Sequence, residues 1–239
     1  MNINFYDQNN QRQKKSSGKL LQCTRDSEKQ TEHLFPYQEP IKSEHYLRAS
    51  VEEKAAQGHY AVAIALLNQL IQIRPDSAVD YNNRGLMHFR NNQLVEALAD
   101  LTRALTIDPK LDSAYNNRAN CHAAQGNLER AISDYDRALD LNPGNIRAWI
   151  NQGITFREMG MYDLAIENFD IALVLDRNLH ERIYGERGRA YHLRGDWNCA
   201  VADYQHAMTI LLIKEGSQKY LQKVENWLSE LLNPLKFTL

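Results

Sequence analysis

The chain shows almost no charge imbalance: 28 lysines and arginines stand against 30 aspartates and glutamates, a formal net charge of −2. Nothing in that balance points to nucleic acid or an anionic membrane surface as partner. Cysteine is scarce. Cys23, Cys121 and Cys199 are odd in number, far apart and free of any CxxC pair. Neither a disulfide framework nor a structural zinc site is expected from them. Long apolar runs are missing too. The longest lie around Ala61–Leu67 and Met208–Ile213, far short of the roughly 20 residues a membrane-spanning helix needs. The opening MNINFYDQNNQRQKK has no apolar core of the secretory-signal kind, and Leu20-Leu21-Gln22-Cys23 lacks the apolar run of a lipid-attachment signal. What remains is ordinary for a soluble chain of 239 residues: 43% hydrophobic, 9% aromatic and 24% charged. The expectation is a soluble, cytoplasmic protein with no metal and no cofactor.

Residues 1–43 differ from the rest. They are rich in Gln, Asn, Ser and Lys and carry seven basic and five acidic residues. With few aliphatics and no sustained period, they read as a flexible, largely disordered arm. One less polar island, Leu34-Phe35-Pro36-Tyr37, suits local packing on the first helices or a short linear motif.

Beyond residue 43 the sequence repeats itself. Pro75, Pro109 and Pro143 are 34 residues apart, as are Tyr81, Tyr115 and Trp149. Ala97, Ala131 and Ala165 keep the spacing, and so do Ala104, Ala138 and Ala172. A later unit continues with Tyr184, Gly188, Tyr191, Ala200, Tyr204 and Ala207 after a one-residue insertion; an earlier, degenerate one has Gly58 and Ala63 in phase. The units are 44–77, 78–111, 112–145, 146–180 and 181–214. Each holds two helical patterns. In the third, Tyr115, Arg118, Ala119 and His122 share one face of a first helix, and Ala131, Tyr135 and Ala138 one face of a second. Alanines at these places let the two helices approach closely. Between the helices stands Gly58, Asn92, Gly126, Gly160 or Gly195, residues that enter the left-handed conformation cheaply and end helices. The prolines stop the second helices.

This pattern resembles the tetratricopeptide repeat over roughly residues 44–214. Pentatricopeptide arrays, which bind RNA, are the near neighbour, but they lack the ending seen at Asp108-Pro109 and Asn142-Pro143. The resemblance implies an all-α, right-handed α-solenoid of about five helix-turn-helix repeats. Residues 215–239 then supply a capping helix and tail. Leu221, Val224, Leu228 and Leu231, with Trp227 and Tyr220 beside them, form the apolar stripe that covers the last open surface.

A polar pair travels with the repeat. Arg84 and Asp100 are 16 residues apart, as are Arg118 and Asp134, and Arg187 and Asp203. The fourth unit holds Gln152 and Asn168 instead, so both charges vanish together. An unpaired buried arginine would be costly. The joint change predicts a hydrogen-bonded link between the two helices of each unit, structural in role.

The resemblance places the first helices along the concave side of the solenoid. Off their packing stripe lie Val79, Asn82, Asn83, Leu86 and Phe89 in the second unit, and Ser113, Asn116, Asn117, Asn120 and Ala123 in the third. The fourth contributes Arg147, Ile150, Asn151, Ile154 and Arg157; the fifth Arg182, Gly185, Glu186, Arg189 and His192. Asn83, Asn117 and Asn151 would form a ladder whose amides both donate to and accept from a peptide backbone. At roughly 0.5–1.5 kcal/mol each, such bonds need help from other contacts. Arg147, Arg157, Arg182 and Arg189 suggest an acidic partner segment.

Some tetratricopeptide co-chaperones clamp a chaperone's terminal carboxylate with Lys, Asn and Arg. The corresponding places here are Asn116, Asn120, Asn151, Arg182 and Glu186; Asn116 stands where a Lys is needed, and Glu186 would repel a carboxylate. A two-carboxylate clamp is therefore not expected. His88 and His122 read as core histidines, and Cys121 and Cys199 as buried thiols. With no phosphate-binding loop, nucleophile elbow or HExxH, an enzyme is not expected either. The reading is a noncatalytic scaffold that binds a segment of a protein partner in its groove. Alternatives are an assembly factor or chaperone-like protein for a larger, for example photosynthetic, complex, and an RNA binder whose affinity falls steeply with salt. Self-association stays open.

Overall fold

The computed structural model describes residues 40–175, 179–214 and 217–233. Residues 1–39, with the Leu34-Phe35-Pro36-Tyr37 island and Cys23, lie outside the described residues, as does the tail Leu235–Leu239. The described chain forms eleven helices: α1 (Pro40–Ala56), α2 (Tyr60–Ile73), α3 (Ala78–Arg90), α4 (Leu94–Ile107), α5 (Asp112–Ala124), α6 (Leu128–Leu141), α7 (Ile146–Glu158), α8 (Tyr162–Leu175), α9 (His180–Arg194), α10 (Trp197–Ile213) and α11 (Gln218–Leu232). No strand occurs among the described residues.

The punctuation follows the repeat. Gly58, Gly126, Gly160 and Gly195 all have positive φ, and Asn92 at φ 60° adopts the same left-handed turn. A Cβ built on any of these four glycines meets nothing within 4 Å. They are there for their backbone conformation, which Asn tolerates better than most other residues. Three second helices end at Ile73, Ile107 and Leu141, two residues ahead of Pro75, Pro109 and Pro143. Ser77, Asn145 and Ser217 cap α3, α7 and α11 with side-chain oxygens.

Inside each pair, a large side chain of the second helix rests on a small residue of the first. A Cβ on Gly85 would sit 2.8 Å from Leu101, one on Gly153 2.9 Å from Phe169, and one on Gly188 2.9 Å from Tyr204. In the third unit Tyr135 packs with Ala119. The alanines on either side of these large residues, such as Ala131 and Ala138, are fully buried. Small residues thus bring the helix axes together, and the large one fills the space between them.

Successive helices pack in chain order, so the pairs stack into a solenoid. The first helices also touch across units, α3 with α5, α5 with α7 and α7 with α9, and the second helices make no comparable approach. The stack therefore curves, with α3, α5, α7 and α9 on its inner face. α11 closes the array against α10 and α9. Leu221 and Val224 are buried there, with Tyr220, Trp227, Leu228 and Leu231 partly buried beside them. Its Lys219, Lys223 and Glu230 stay exposed.

Candidate functional site

The inner face rests on a set of interhelical links. Arg84 grips Asp100 through two bonds of 2.7 and 2.6 Å. Arg118 does the same to Asp134 at 2.7 and 2.8 Å, and Arg187 to Asp203 at 2.7 and 2.8 Å. Asn168 donates to Gln152 at 2.8 Å. All four units thus carry the expected pair, charged in three and neutral in one. Each arginine also lies over a tyrosine three residues earlier, Tyr81, Tyr115 or Tyr184, at 5.3–5.5 Å from the ring centroid. The Asp134 hydrogen bond and charge hold the Arg118 guanidinium more firmly protonated than usual, against the effect of its burial.

Three of these residues reach further, to the second helix of the preceding unit. Arg84 bonds Asn68 on α2 at 2.8 Å, Gln152 bonds Asp136 on α6 at 2.6 Å, and Arg187 bonds Asp170 on α8 at 2.5 Å. The pairing within each unit does not imply this third connection. Its signal is nonetheless present in the sequence: Asn68, Asp136 and Asp170 keep the repeat spacing, each a polar residue 16 or 17 positions before its partner.

The asparagines form a connected series. Asn82 donates to Asn83 (3.3 Å), Asn117 to Asn82 (2.9 Å), Asn116 to Asn117 (3.4 Å) and Asn151 to Asn116 (3.2 Å). Arg182 donates to Asn151 at 3.5 Å. Asn83, Asn117 and Asn151 do follow one another along the inner face. They do not stand as separate amides, because each is tied to an asparagine one place earlier in the repeat, on a neighbouring helix or on its own. Asn82, Asn83 and Asn116 are buried, whereas Asn117, Asn120 and Asn151 are half-buried. Asn120 accepts from the Tyr135 hydroxyl at 2.7 Å. Phe89 is half-buried and packs against the Ala97–Leu101 core.

The expected arginine row divides. Arg157 bonds Glu186 at 2.5 Å and Arg189 bonds Glu230 at 2.8 Å, so both are neutralised within the fold. Arg182 joins the asparagine series. Arg147 is exposed as a residue, yet partial burial of its guanidinium, with the charges of Arg90 and Arg182, pulls its pKa below the usual arginine value. Ile150 and Gly185 were expected on the groove and belong to the core instead: Ile150 is fully buried and Gly185 lies beneath Tyr220.

Glu186 does not face the groove as a repelling charge. It is 3% exposed and receives Arg157, Lys223 at 3.2 Å and the Tyr220 hydroxyl at 3.3 Å. Burial opposes its charge, but Arg157 and Lys223 outweigh it and hold the carboxyl below its ordinary value. A depressed folded pKa means stability that is present above the unfolded value of about 4.3 and lost as pH falls through the folded one. Lys223 and Tyr220 belong to α11, so acid should loosen this end first. Trp227 fluorescence in a Trp149→Phe/Trp197→Phe background should report a transition below about pH 4.3 that Glu186→Gln removes; an unchanged transition would refute the assignment.

His88 and His122 are part-buried as expected, each with Nε2 near the pair carboxylate, at 3.7 Å from Asp100 and 3.9 Å from Asp134. Cys121 is buried, and desolvation pushes its thiol up to about 12. Cys199 is a correction: it lies exposed in the first turn of α10, while its neighbour Ala200 is the residue of that turn buried in the core. Among the described residues, no helix is long and apolar enough to cross a membrane, and no group of three or more His, Cys, Asp or Glu could hold a metal.

Paired helices stacked with their first members on a curved inner face define a helical-repeat solenoid. A tetratricopeptide repeat family model matches residues 78–111 and 113–145, and a second tetratricopeptide repeat model matches 134–167. Residues 78–167 thus carry tetratricopeptide repeats. No curated protein matches it. Among solved structures it is similar to TTC0263, a thermophilic tetratricopeptide-repeat protein of Thermus thermophilus, at 18% identity and TM-score 0.65 over 79% of this chain and 98% of that one. It is similar to MamA at 21% identity and TM-score 0.58, covering 69% and 96%. A chain of the APC/C Cut9–Hcn1 hetero-tetramer matches at 23% identity and TM-score 0.67, covering 84% of this chain and 38% of that one.

Proposed function

We propose that the protein is a noncatalytic scaffold that holds an extended segment of a partner protein along the inner face of its repeat array. The observation that carries this reading is a row of partly exposed polar side chains on successive first helices: Asn117 and Asn120 on α5, Arg147 and Asn151 on α7, and Arg182 on α9. The core does not need polar groups at these places, and no catalytic constellation lies among them. A repeat surface of this length suits an extended chain better than a small molecule.

The test is crosslinked capture from native lysate, read by mass spectrometry. Wild type is compared with Asn117→Ala/Asn151→Ala, with Arg147→Ala, and with Val95→Glu on the outer helix α4, where Val95 is 76% exposed. A partner retained by Val95→Glu and lost from both inner-face variants is expected. Arg147→Ala leaves the asparagine series intact, and circular dichroism checks that each variant is folded. Equal capture by all four proteins would move binding to the convex face or the arm and defeat the proposal.

A further inference from the structure

The turn edge of the last two units carries apolar side chains that the core does not use. Trp197 opens α10 and is 67% exposed. Its equivalents in the four preceding units, Tyr60, Leu94, Leu128 and Tyr162, are all half-buried. Leu193, at the end of α9, is exposed as well. Arg194 bonds Asp163 and so holds the end of α9 beside the start of α8. Met161 and Leu164 flank that aspartate and are exposed. They take the places of Asn127 and Arg130 one unit earlier, and of Gln93 and Glu96 one unit before that. Apolar groups gathered on one edge, where the repeat elsewhere sets polar ones, mark a surface that something covers.

The chain itself delivers a cover to this place. The Tyr220 hydroxyl bonds Arg182 and Glu186, and Glu230 accepts from Arg189, so α11 runs parallel to α9 and antiparallel to α10. Trp227 stacks on Tyr204 of α10, with ring centroids 6.1 Å apart. Asn233 is six residues on from Trp227 and Asn198 six residues back from Tyr204, so α11 ends level with the first turn of α10. The segment that follows Asn233 therefore sets out from beside Trp197. It reads Pro-Leu-Lys-Phe-Thr-Leu and opens with a helix-stopping proline. Leu235, Phe237 and Leu239 then alternate with polar residues, the period that puts all three on one face of an extended chain. Six extended residues span up to about 20 Å, and packed helix axes lie about 8–10 Å apart. That length suffices to pass from Trp197 over the end of α9 to Leu164.

We infer that residues 234–239 form a strap that folds back over this edge, sets Leu235, Phe237 and Leu239 on Trp197, Leu193 and Leu164, and ties the fifth unit to the fourth. The edge lies at the turns, away from the inner face, so the inference stands apart from the proposed function. A strap within one chain is favoured over a second copy because the segment already starts at the edge. Closing it costs the entropy of one short loop, whereas a second copy must first be brought from solution.

Disulfide trapping in the full chain tests this. In a Cys23→Ser/Cys199→Ser background, Leu164→Cys/Leu239→Cys is compared with Ser229→Cys/Leu239→Cys under mild oxidation of dilute protein. Cys121 is buried and stays out of the reaction. Ser229 lies one helical turn from Asn233, so an unfixed segment would reach it first. The first pair should close within one chain about tenfold faster than the second. Separately, acrylamide quenching of Trp197 is read in a Trp149→Phe/Trp227→Phe chain. Ending that chain after Asn233 should raise the quenching, and Phe237→Asp should raise it likewise. Circular dichroism checks folding; if the single-tryptophan chain is not folded, the crosslinks decide. A second pair that closes as fast as the first overturns the strap. So does a first pair that links only between chains, which would assign the edge to a second copy. Quenching unchanged by the truncation also overturns it and would leave the edge to a different protein. The inner-face scaffold is untouched by any of these outcomes and falls only to the capture experiment.

Discussion

Replacing Arg118 by leucine should lower stability by about 3 kcal/mol, a value at the low end for breaking a buried ion pair, because Arg118 keeps 22% of its side-chain exposure. The variant leaves Asp134, only 11% exposed, facing His122 Nε2 at 3.9 Å and no arginine. Leucine and arginine have nearly equal helix propensity, so the loss would not follow from that. The fourth unit supplies the control. Arg118→Gln together with Asp134→Asn copies Gln152 and Asn168, which meet at 2.8 Å. This double variant should return to within about 1 kcal/mol of wild type, the net worth of an ordinary hydrogen bond. Urea denaturation of the three proteins measures it. If the single and double variants unfold at the same urea concentration, the two side chains do not act as a pair.

Gly185→Ala should destabilise the C-terminal end by about 2 kcal/mol, as overpacking a tight contact does. The new Cβ would stand 2.5 Å from the Tyr220 hydroxyl and 3.2 Å from its Cζ. Tyr220 cannot give way freely, since its hydroxyl bonds the Arg182 carbonyl at 3.2 Å and Glu186 at 3.3 Å. The expected result is faster hydrogen exchange through α11 with α3–α8 unchanged. Tyr220→Phe removes the obstructing oxygen, so Gly185→Ala should cost less in that background than in the wild-type chain, whatever loss of the two hydroxyl bonds costs by itself. Exchange that rises evenly along the array would show that Gly185 does not act through α11.

Both variants bear on what can be read in advance. The paired helices are legible because prolines, glycines and alanines recur at one spacing, and each recurrence has a local cause. Arg84 with Asp100 is legible because the fourth unit changes both partners at once. Asn117 with Asn82 is not, since the bond joins different places of the repeat and depends on how α3 and α5 cross. Glu186 is harder still. Its partners Arg157, Tyr220 and Lys223 come from α7 and α11, and no periodicity in the chain links these elements. The asparagines are legible as a row but not as a connected one, because the bonds join different places of neighbouring repeats.

One absence in the polar links sets the behaviour of the whole array. Arg84, Gln152 and Arg187 each fasten a first helix to the preceding unit. Arg118 has no such bond, because Thr102 stands where Asn68, Asp136 and Asp170 stand elsewhere. A repeat protein behaves as a row of neighbours whose cooperativity is only as strong as each joint. The joint between α4 and α5 is held by apolar packing and the Asn117–Asn82 bond, without the bridge the others have. Opening between α4 and α5 should therefore need less free energy than opening at the bridged joints, and hydrogen exchange should rise there first as the array is destabilised. The inner face crosses that joint, so its curvature should yield at α5 before it yields elsewhere.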